Sequence, residues 1–177
     1  LTFSQHLACP VDGESFEELT TRSFSFNTPY GACPRCDGLG TRFEVDPGLV
    51  VPDPDLSIGE GAIHPWSSGH ATWFHRILEA VGDEKGIPLD VPWAKLKAAQ
   101  QRTLLDGKGV GRVEVRYKNR YGRVRTYHAA YEGVVPWLQR RHSETESDSQ
   151  REQFEGYMRE VPCPECDGSR FNPFTVG

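Results

Sequence analysis

Two nearly identical eight-residue segments constrain this chain more than any other feature. "CPRCDGLG" occupies residues 33–40 and "CPECDGSR" occupies residues 163–170, with 126 residues between Cys36 and Cys163. Each segment has two cysteines separated by two residues, a spacing that lets one tight turn present two thiolates to a tetrahedral zinc ion. Gly38 and Gly168 follow and let the chain fold back beneath the metal. The repeat predicts one zinc ion held by four ligands: Cys33, Cys36, Cys163 and Cys166.

The long separation of the two turns does not exclude a shared ion. Closing a loop of more than about 100 residues costs roughly 5 kcal/mol of chain entropy. A structural zinc site contributes on the order of 10–16 kcal/mol, so the metal outweighs the closure cost. The alternative interpretation is a pair of redox-active or inert dithiols. Two near-identical turns that both contain proline favour the metal.

The chain has five cysteines, and the odd one is Cys9 in "CPVD". Asp12 stands where a second thiolate would be, and a carboxylate oxygen can also ligate zinc. We predict that Cys9 is a free or buried thiol, with a contribution of Cys9 and Asp12 to a metal site as the alternative. Paired CxxC motifs suit a reducing compartment. No apolar run approaches the roughly 20 residues of a membrane span, and no signal sequence begins the chain. We therefore expect an excised piece of a larger cytoplasmic protein with no membrane partner.

Charge is distributed unevenly along the sequence. The net charge is −5, yet residues 108–141 hold nine Lys or Arg against two acids, so this segment carries +7 and the remainder −12. A basic segment inside an acidic chain indicates a segregated electrostatic face and suggests a nucleic-acid partner.

Periodicity predicts an α+β fold. Helical spacing occurs over residues 71–82, 92–107 and 149–158, with Gly82 and Gly107 as the expected ends of the first two helices. "VEVRYKNRYGRVRTYHA" alternates on both sides of a Gly-containing turn and predicts a β-hairpin. The prediction is a small zinc-stapled module, residues 1–46 and 161–177, with an inserted mixed α/β domain at residues 47–160. That domain contains the basic hairpin and about three helices.

A twisted hairpin lined with cations can follow a phosphate backbone. We predict that Tyr117 and Tyr127 pack within the sheet, and we leave open whether Tyr121 packs or stacks on a base. A solvated hairpin without a ligand is the alternative, and two of the arginines could equally pair with Glu144 and Glu146. The candidate DNA-binding residues are Arg112, Arg116, Lys118, Arg120, Arg123, Arg125, Arg140 and Arg141.

No catalytic pattern is present in the 177 residues. Three histidines lie close together in "HPWSSGHATWFH", but no HExxH motif occurs, and Ser67 and Ser68 lie in no nucleophile-elbow pattern. Packing or surface roles are therefore favoured for the histidines, which are His64, His70 and His75. We predict no catalytic residue and no bound nucleotide in this chain.

Three segments together resemble UvrA, the damage-sensing ATPase subunit of bacterial nucleotide excision repair. They are "FSFNTPYGACPRCDGLG" (24–40), "EGVVPWLQRRHSETES" (132–147) and "CPECDGSRFNP" (163–173). DnaJ-type chaperones also carry CxxCxGxG repeats, but in four closely spaced copies, and here there are two. The resemblance covers essentially the whole chain. It implies an ABC-type nucleotide-binding module interrupted by a four-cysteine zinc module, whose halves flank a mobile insertion domain facing DNA.

The resemblance implies that the parent protein is a DNA-dependent ATPase that binds ATP, damaged double-stranded DNA, UvrB and a second UvrA. Two departures matter. Asp12 stands where UvrA proteins often carry a cysteine, and neither GxxxxGK[ST] nor an ABC signature occurs here, so this piece would not hydrolyse ATP alone. The predicted role is a zinc-stapled region that contacts DNA and is coupled to distant ATPase heads. The alternative is a zinc-dependent interaction module that docks UvrB or UvrA without touching DNA.

Overall fold

The computed structural model describes residues 20–67, 71–118 and 120–176. The chain divides into two compact units. We call them the terminal unit, described over residues 20–43 and 160–176, and the central unit, residues 44–159.

The described residues form six α-helices and four β-strands. The helices are α1 (Pro47–Val50), α2 (Ala71–Lys85), α3 (Ala98–Asp106), α4 (Val134–Glu144), α5 (Asp148–Glu155) and α6 (Pro173–Val176). The strands are β1 (Thr41–Val45), β2 (Gly111–Lys118), β3 (Val124–Tyr131) and β4 (Met158–Pro162). Single turns of 3-10 helix cover Thr21–Phe24, His64–Trp66 and Trp93–Lys95. Strand β1 pairs with β4, and β2 pairs with β3.

The predicted β-hairpin is confirmed. Strands β2 and β3 are antiparallel, and their register runs from Gly111 opposite Tyr131 to Lys118 opposite Val124. Alternation places Val113 and Val115 on the inner face, where both side chains are fully buried. Because side chains alternate across a strand, the intervening polar residues point to the outer face.

The central unit is built around the contact between α2 and this hairpin. Helix α2 buries Phe74, Ile77, Leu78 and Val81, which recur at helical spacing as the sequence predicts. Its remaining apolar position, Trp73, is 45% exposed. Leu104 of α3 and Leu138 of α4 are fully buried members of the same core.

Gly107 ends its helix as predicted, but Gly82 does not. Gly107 caps α3 in the left-handed conformation at φ +66°. Helix α2 instead continues through Gly82 to Lys85, and Gly86 (φ +63°) follows it. The amide of Ile87 returns to the Gly82 carbonyl at 2.9 Å, so the turn that reverses the chain lies one helical turn later than expected.

The prediction of about three helices in the central unit is too low, because it omits α4. The segment "GVVPW" reads poorly as a helix, since it combines a glycine, two β-branched residues and a proline. Pro136 nevertheless lies in the first turn of α4, where the backbone N–H has no helical partner to lose. With α4, four helices of the described central unit have eight residues or more.

The last predicted helix is shorter than expected. The Ser147 side chain, rather than that of Ser149, caps α5 by accepting from the Gln150 amide. The helix ends at Glu155, and Met158 already belongs to strand β4. Within the described ranges, no helix combines the length and hydropathy that crossing a membrane requires.

Candidate metal centre and basic hairpin

The two octets fold into the same turn. Asp37 and Gly38 have φ of 49° and 77°, and the equivalent Asp167 and Gly168 have φ of 45° and 80°. Two consecutive residues with positive φ reverse the chain immediately after the second cysteine. A glycine at the second of these positions avoids the cost that a Cβ would carry there.

Gly38 is required by space as well as by conformation. A Cβ built on Gly38 would lie 2.2 Å from the Phe26 carbonyl oxygen, an impossible contact with backbone. Gly168 has no such neighbour, since a Cβ there would meet its nearest atom, the Gly40 oxygen, at 4.0 Å. The first turn is thus packed closely against its own upstream segment.

Hydrogen bonds join the two turns reciprocally. The amide of Cys33 donates to the carbonyl of Arg170 at 2.9 Å, and the amide of Cys163 donates to that of Gly40 at 2.9 Å. Gly40 and Arg170 are the eighth residues of their octets, so the first cysteine of each octet bonds to the last residue of the other. The repeat in sequence becomes a local two-fold relation in space.

The third residues of the two octets also meet. Arg35 and Glu165 form an ion pair with 3.5 Å between guanidinium nitrogen and carboxylate oxygen. Both side chains are about half exposed, so screening leaves little net stabilisation. Because Arg35 is positive and Glu165 is negative, the ion pair nevertheless favours association of the first octet with the second over association of either octet with another copy of itself.

The four sulfurs lie together as the sequence predicts. Their Sγ atoms are all within 4.8 Å of one another, with 4.0 Å between Cys33 and Cys163 and 3.7 Å between Cys36 and Cys166. Zinc–sulfur bonds of about 2.3 Å in a tetrahedron place the sulfurs about 3.8 Å apart. The sulfur–sulfur distances in the cluster are far longer than the roughly 2 Å of a disulfide bond. The four cysteines are free, buried and arranged so that they could hold a metal ion.

Backbone amides add to the electrostatics of the cluster. Burial raises the pKa of the Cys33 thiol to about 11. Burial acts in the same direction on Cys163, but hydrogen bonds from the backbone N–H groups of Glu165 and Cys166 and from the Cys166 and Cys36 thiols together outweigh it and lower its pKa to about 7. The amide of Gly40 donates to the Cys36 sulfur at 3.2 Å. Such donors stabilise thiolates, the form in which cysteine ligates metals.

No other group of His, Cys, Asp and Glu within the described ranges has the proximity of a metal site. Cys9, Asp12 and His70 lie outside those ranges. The Nδ1 atom of His64 lies 2.9 Å from the Tyr157 hydroxyl, and His75 pairs with Glu79 at 3.4 Å.

The basic residues named from sequence lie on several surfaces. Arg112, Arg116 and Lys118 alternate along the outer face of β2, and all three are exposed. Arg120 and Arg123 lie in the loop between the strands and are also exposed. Arg125 stands opposite Tyr117 and therefore belongs to the inner face, beyond the buried core.

Two of these arginines are held by carboxylates. Arg116 pairs with Glu114, two residues away on the same face, at 2.6 Å. Arg140 pairs with Glu132 at 2.5 Å and with Glu144 at 2.9 Å. Hydrogen bonding to Glu132 is the main cause that raises the pKa of Arg140 above its ordinary value.

Arg141, the neighbour of Arg140, is exposed and forms no ion pair with a carboxylate of the described residues. Its guanidinium carbon lies 5.9 Å from the centre of the Trp137 ring, within the range of a cation–π contact. The pairing with Glu144 that the sequence left open therefore falls to Arg140.

The hairpin contains two packed tyrosines and one exposed tyrosine. Tyr117 and Tyr127 pack edge to face with 5.9 Å between ring centres, which confirms packing for both. Tyr121 is 70% exposed in the loop, where the Arg120 guanidinium lies 4.7 Å from its ring centre.

One cation beside the hairpin was missed by the sequence reasoning. The Arg76 guanidinium of α2 lies 4.7 Å from the centre of the Tyr117 ring. Arg76 precedes the basic segment by more than thirty residues. Only the packing of α2 on β2 brings it to the hairpin, and no local pattern signals that contact.

The fold and site define a class of protein region: a small four-cysteine module interrupted by an α/β unit that carries a basic hairpin. A search against family profiles identifies the particular family. The profile described as "UvrA DNA-binding domain" matches residues 46–156, and the chain belongs to this family. The resemblance to UvrA drawn from the sequence is thereby confirmed.

Relatives extend the match to almost the whole chain. The chain is 57% identical over 175 residues to "UvrABC system protein A" of Streptomyces coelicolor, which covers 98% of this chain and 17% of the relative. It is 52% identical over 174 residues to the protein of that name from Mycobacterium bovis, with coverage of 97% and 18%. The crystal structure of UvrA2 from Deinococcus radiodurans matches with a TM-score of 0.69 and 28% identity, over 86% of this chain and 19% of that one. The chain thus spans less than a fifth of these relatives.

Proposed function

We propose that this chain is the DNA-contacting, zinc-stapled region of a UvrA-type damage-recognition subunit in nucleotide excision repair. The family match over residues 46–156 supports a DNA-binding role for the central unit. The single observation that carries the proposal is the row of exposed cations on the outer face of β2, which continues into the loop. These residues are Arg112, Arg116, Lys118, Arg120 and Arg123.

The spacing of this row suits a phosphate backbone. Alternate residues of a strand are about 6.7 Å apart, and they project from the same face. The opposite strand presents Val124, Thr126, His128 and Ala130 on that face, which adds no negative charge. The one carboxylate in the row, Glu114, is engaged with Arg116. The outer face therefore offers a strip of positive charge that could follow a phosphate backbone.

A contact of this kind reads backbone position and deformability rather than sequence. Such reading suits a sensor that accepts chemically unrelated lesions, because no base pattern is common to them. Arg140 is a poorer candidate than Arg116, because two carboxylates, those of Glu132 and Glu144, engage its guanidinium, whereas Glu114 alone engages Arg116. We retain Arg125 and Arg141 as candidates on other faces of the central unit.

We propose zinc as the ion of the four-cysteine cluster. An all-cysteine site with four ligands leaves no open position, which is typical of a structural zinc rather than a catalytic one. The ion would fix the two turns to each other through thiolates of Cys33, Cys36, Cys163 and Cys166 and would do no chemistry. In the whole protein, the role of the module would be to pass DNA contact at residues 47–160 to distant ATPase heads.

The proposal is tested by titrating a fluorescent duplex with this chain at several salt concentrations. Charge reversal of Arg112, Lys118 and Arg120 to Glu should weaken binding and flatten the salt dependence by about 0.9 in log–log slope for each phosphate that the variant no longer neutralises. Arg112→Glu is also measured alone against Arg102→Glu, which changes the net charge by the same amount. Arg102→Glu is the matched control, since Arg102 is an exposed arginine of α3 in the same unit. It should leave the slope unchanged.

If the hairpin and control variants weakened duplex binding equally, binding would depend on net charge alone, and this result would contradict the proposal. Absence of duplex binding by the intact chain would favour the second interpretation, a zinc-dependent module that docks UvrB or another UvrA protomer. Damaged DNA, UvrB, a UvrA homodimer and ATP are proposals for the whole protein. We propose no catalytic activity for this chain by itself.

A further inference from the structure

We propose that a second surface of the central unit binds unpaired nucleotides. It is formed by Trp73, Arg76, Tyr117 and Arg125, and we call it the Trp73 surface. Trp73 would stack on a base, and the two arginines would contact the flanking phosphates. The inference rests on the proposed DNA-binding function and deepens it, because it assigns distorted or unpaired DNA to a surface other than the outer face of β2.

The four side chains form one continuous strip. Trp73 and Arg76 are three residues apart on α2 and are therefore neighbours on its surface. The Arg76 guanidinium lies over the Tyr117 ring at 4.7 Å. Arg125 is the direct cross-strand partner of Tyr117, so their side chains share the inner face of the hairpin. Each residue in the strip thus adjoins the next.

Trp73 is an apolar residue of α2 that does not pack into the core of the central unit. The four other apolar residues that α2 directs at helical spacing are at most 9% exposed, whereas Trp73 is 45% exposed. Its ring meets Phe74 edge to face, with 4.8 Å between centres and 76° between planes. This contact packs the indole against Phe74, while the residue as a whole remains 45% exposed. An exposed indole beside cations is the arrangement with which proteins stack on unpaired bases.

The charges on this surface favour a phosphate ligand. A guanidinium stacked on an aromatic ring keeps the N–H donors at its edge available for phosphate oxygens. Four carboxylates share a concave surface with Arg76 and would oppose an anion there: Glu79, Asp83, Glu84 and Glu114. Three of them have partners: Glu79 lies 3.4 Å from His75, Glu84 lies 2.9 Å from Lys85, and Glu114 lies 2.6 Å from Arg116. Arg76 and Arg125, which both adjoin Tyr117, would supply the phosphate contacts.

The surface would discriminate between intact and distorted DNA. In an undistorted duplex the faces of the bases are stacked on one another, so an indole gains no partner. A mismatch, bubble or lesion exposes a base face and makes stacking available. Phosphate contacts on the outer face of β2 would bind both forms, and the Trp73 surface would add affinity only to the distorted form.

The test compares two fluorescein-labelled DNAs by anisotropy: an intact duplex and the same duplex with a central run of unpaired thymines. Trp73→Ala should weaken binding to the bubble by about tenfold, the loss typical of one stacked base. It should leave intact-duplex affinity within about twofold. Trp73→Phe should retain most of the preference for the bubble, because it keeps a ring.

Arg76→Gln should weaken bubble binding and lower its salt slope by about 0.7, the value for one phosphate contact on a single strand. Tyr121→Ala is the matched control, since Tyr121 is the other exposed aromatic beside hairpin cations. The thermal midpoint of each variant is measured first, and Arg76→Gln carries the test if Trp73→Ala unfolds.

Loss of bubble preference in Tyr121→Ala but not in Trp73→Ala would place stacking at the loop and overturn the inference. Equal losses on both DNAs, or no loss on either, would also overturn it. In these cases the outer-face contact stands, because the intact chain still binds duplex. If the intact chain binds neither DNA, the proposed function itself fails, which is a separate and recognisable result.

Discussion

Removing one sulfur from the cluster should uncouple the terminal unit from the central unit in stability. Among the described residues of the terminal unit, those that are buried are the four cysteines and three glycines, with no buried aliphatic or aromatic side chain. The central unit, by contrast, has a continuous apolar core. Hydrophobic burial therefore stabilises the central unit, and we expect the terminal unit to depend on the proposed metal.

The magnitude follows from the number of ligands. If zinc contributes about 10–16 kcal/mol over four thiolates, each accounts for about 3 kcal/mol. Cys163→Ser should then weaken zinc affinity by about a hundredfold. It should also expose the amides that join the turns, those of Cys33 and Cys163, which bond to Arg170 and Gly40.

The assay combines zinc content with hydrogen exchange. Protein purified without chelator should hold one zinc per chain, and its turn amides should exchange slowly. In Cys163→Ser, or after chelation, these amides should exchange rapidly while the amides of β2 and β3 stay protected. Cys9→Ser is the control and should retain the zinc. Persistent protection of the turns without zinc, or unchanged zinc affinity in Cys163→Ser, would refute the reasoning.

Two further predictions concern the central unit. Gly133→Ala should destabilise it by about 3–5 kcal/mol in urea unfolding, because Gly133 has a φ of +90° and the new Cβ would lie 2.4 Å from the Asp106 carbonyl carbon. Gly122→Ala is the control: Gly122 has a φ of +74° but lies in open space, so this change should cost only about 1–2 kcal/mol. Equal costs for the two substitutions would contradict this account. Tyr131→Phe should cost about 1 kcal/mol, because the buried hydroxyl donates to the Leu104 carbonyl at 2.6 Å. Burial raises the pKa of Tyr131, so the wild type should lose stability as the pH rises above about 10, the ordinary value, and Tyr131→Phe should lose less over the same range.

Much of the candidate site could be predicted because its determinants are local. Two residues between cysteines, a glycine two positions later and a repeat of the whole octet define the turns without reference to the rest of the fold. The hairpin is equally local, since the alternation of Val113 and Val115 with charged residues expresses the two-residue period of a strand. Gly107 caps α3 for the same kind of reason, because a left-handed residue ends a helix whatever surrounds it.

Predictions failed where packing competes with propensity. Gly82 is a weak helix former, yet α2 continues through it because Phe74, Ile77, Leu78 and Val81 bury one continuous face. Helix α4 forms over β-branched residues and a proline because Val134 and Leu138 are fully buried. In both segments tertiary burial outweighs intrinsic preference.

The sequence by itself determined the four-cysteine cluster, the existence of the hairpin and the family to which the chain belongs. Each of these three features depends on residues that are close together in the sequence or repeated in it, so short-range geometry determines the feature. Only the tertiary structure decided which arginines are engaged, since Glu132 and Glu144 converge on Arg140 through the placement of α4. It also brought Arg76 onto Tyr117. A charge acts through distance in space, and distances between remote segments are fixed by packing rather than by order along the chain.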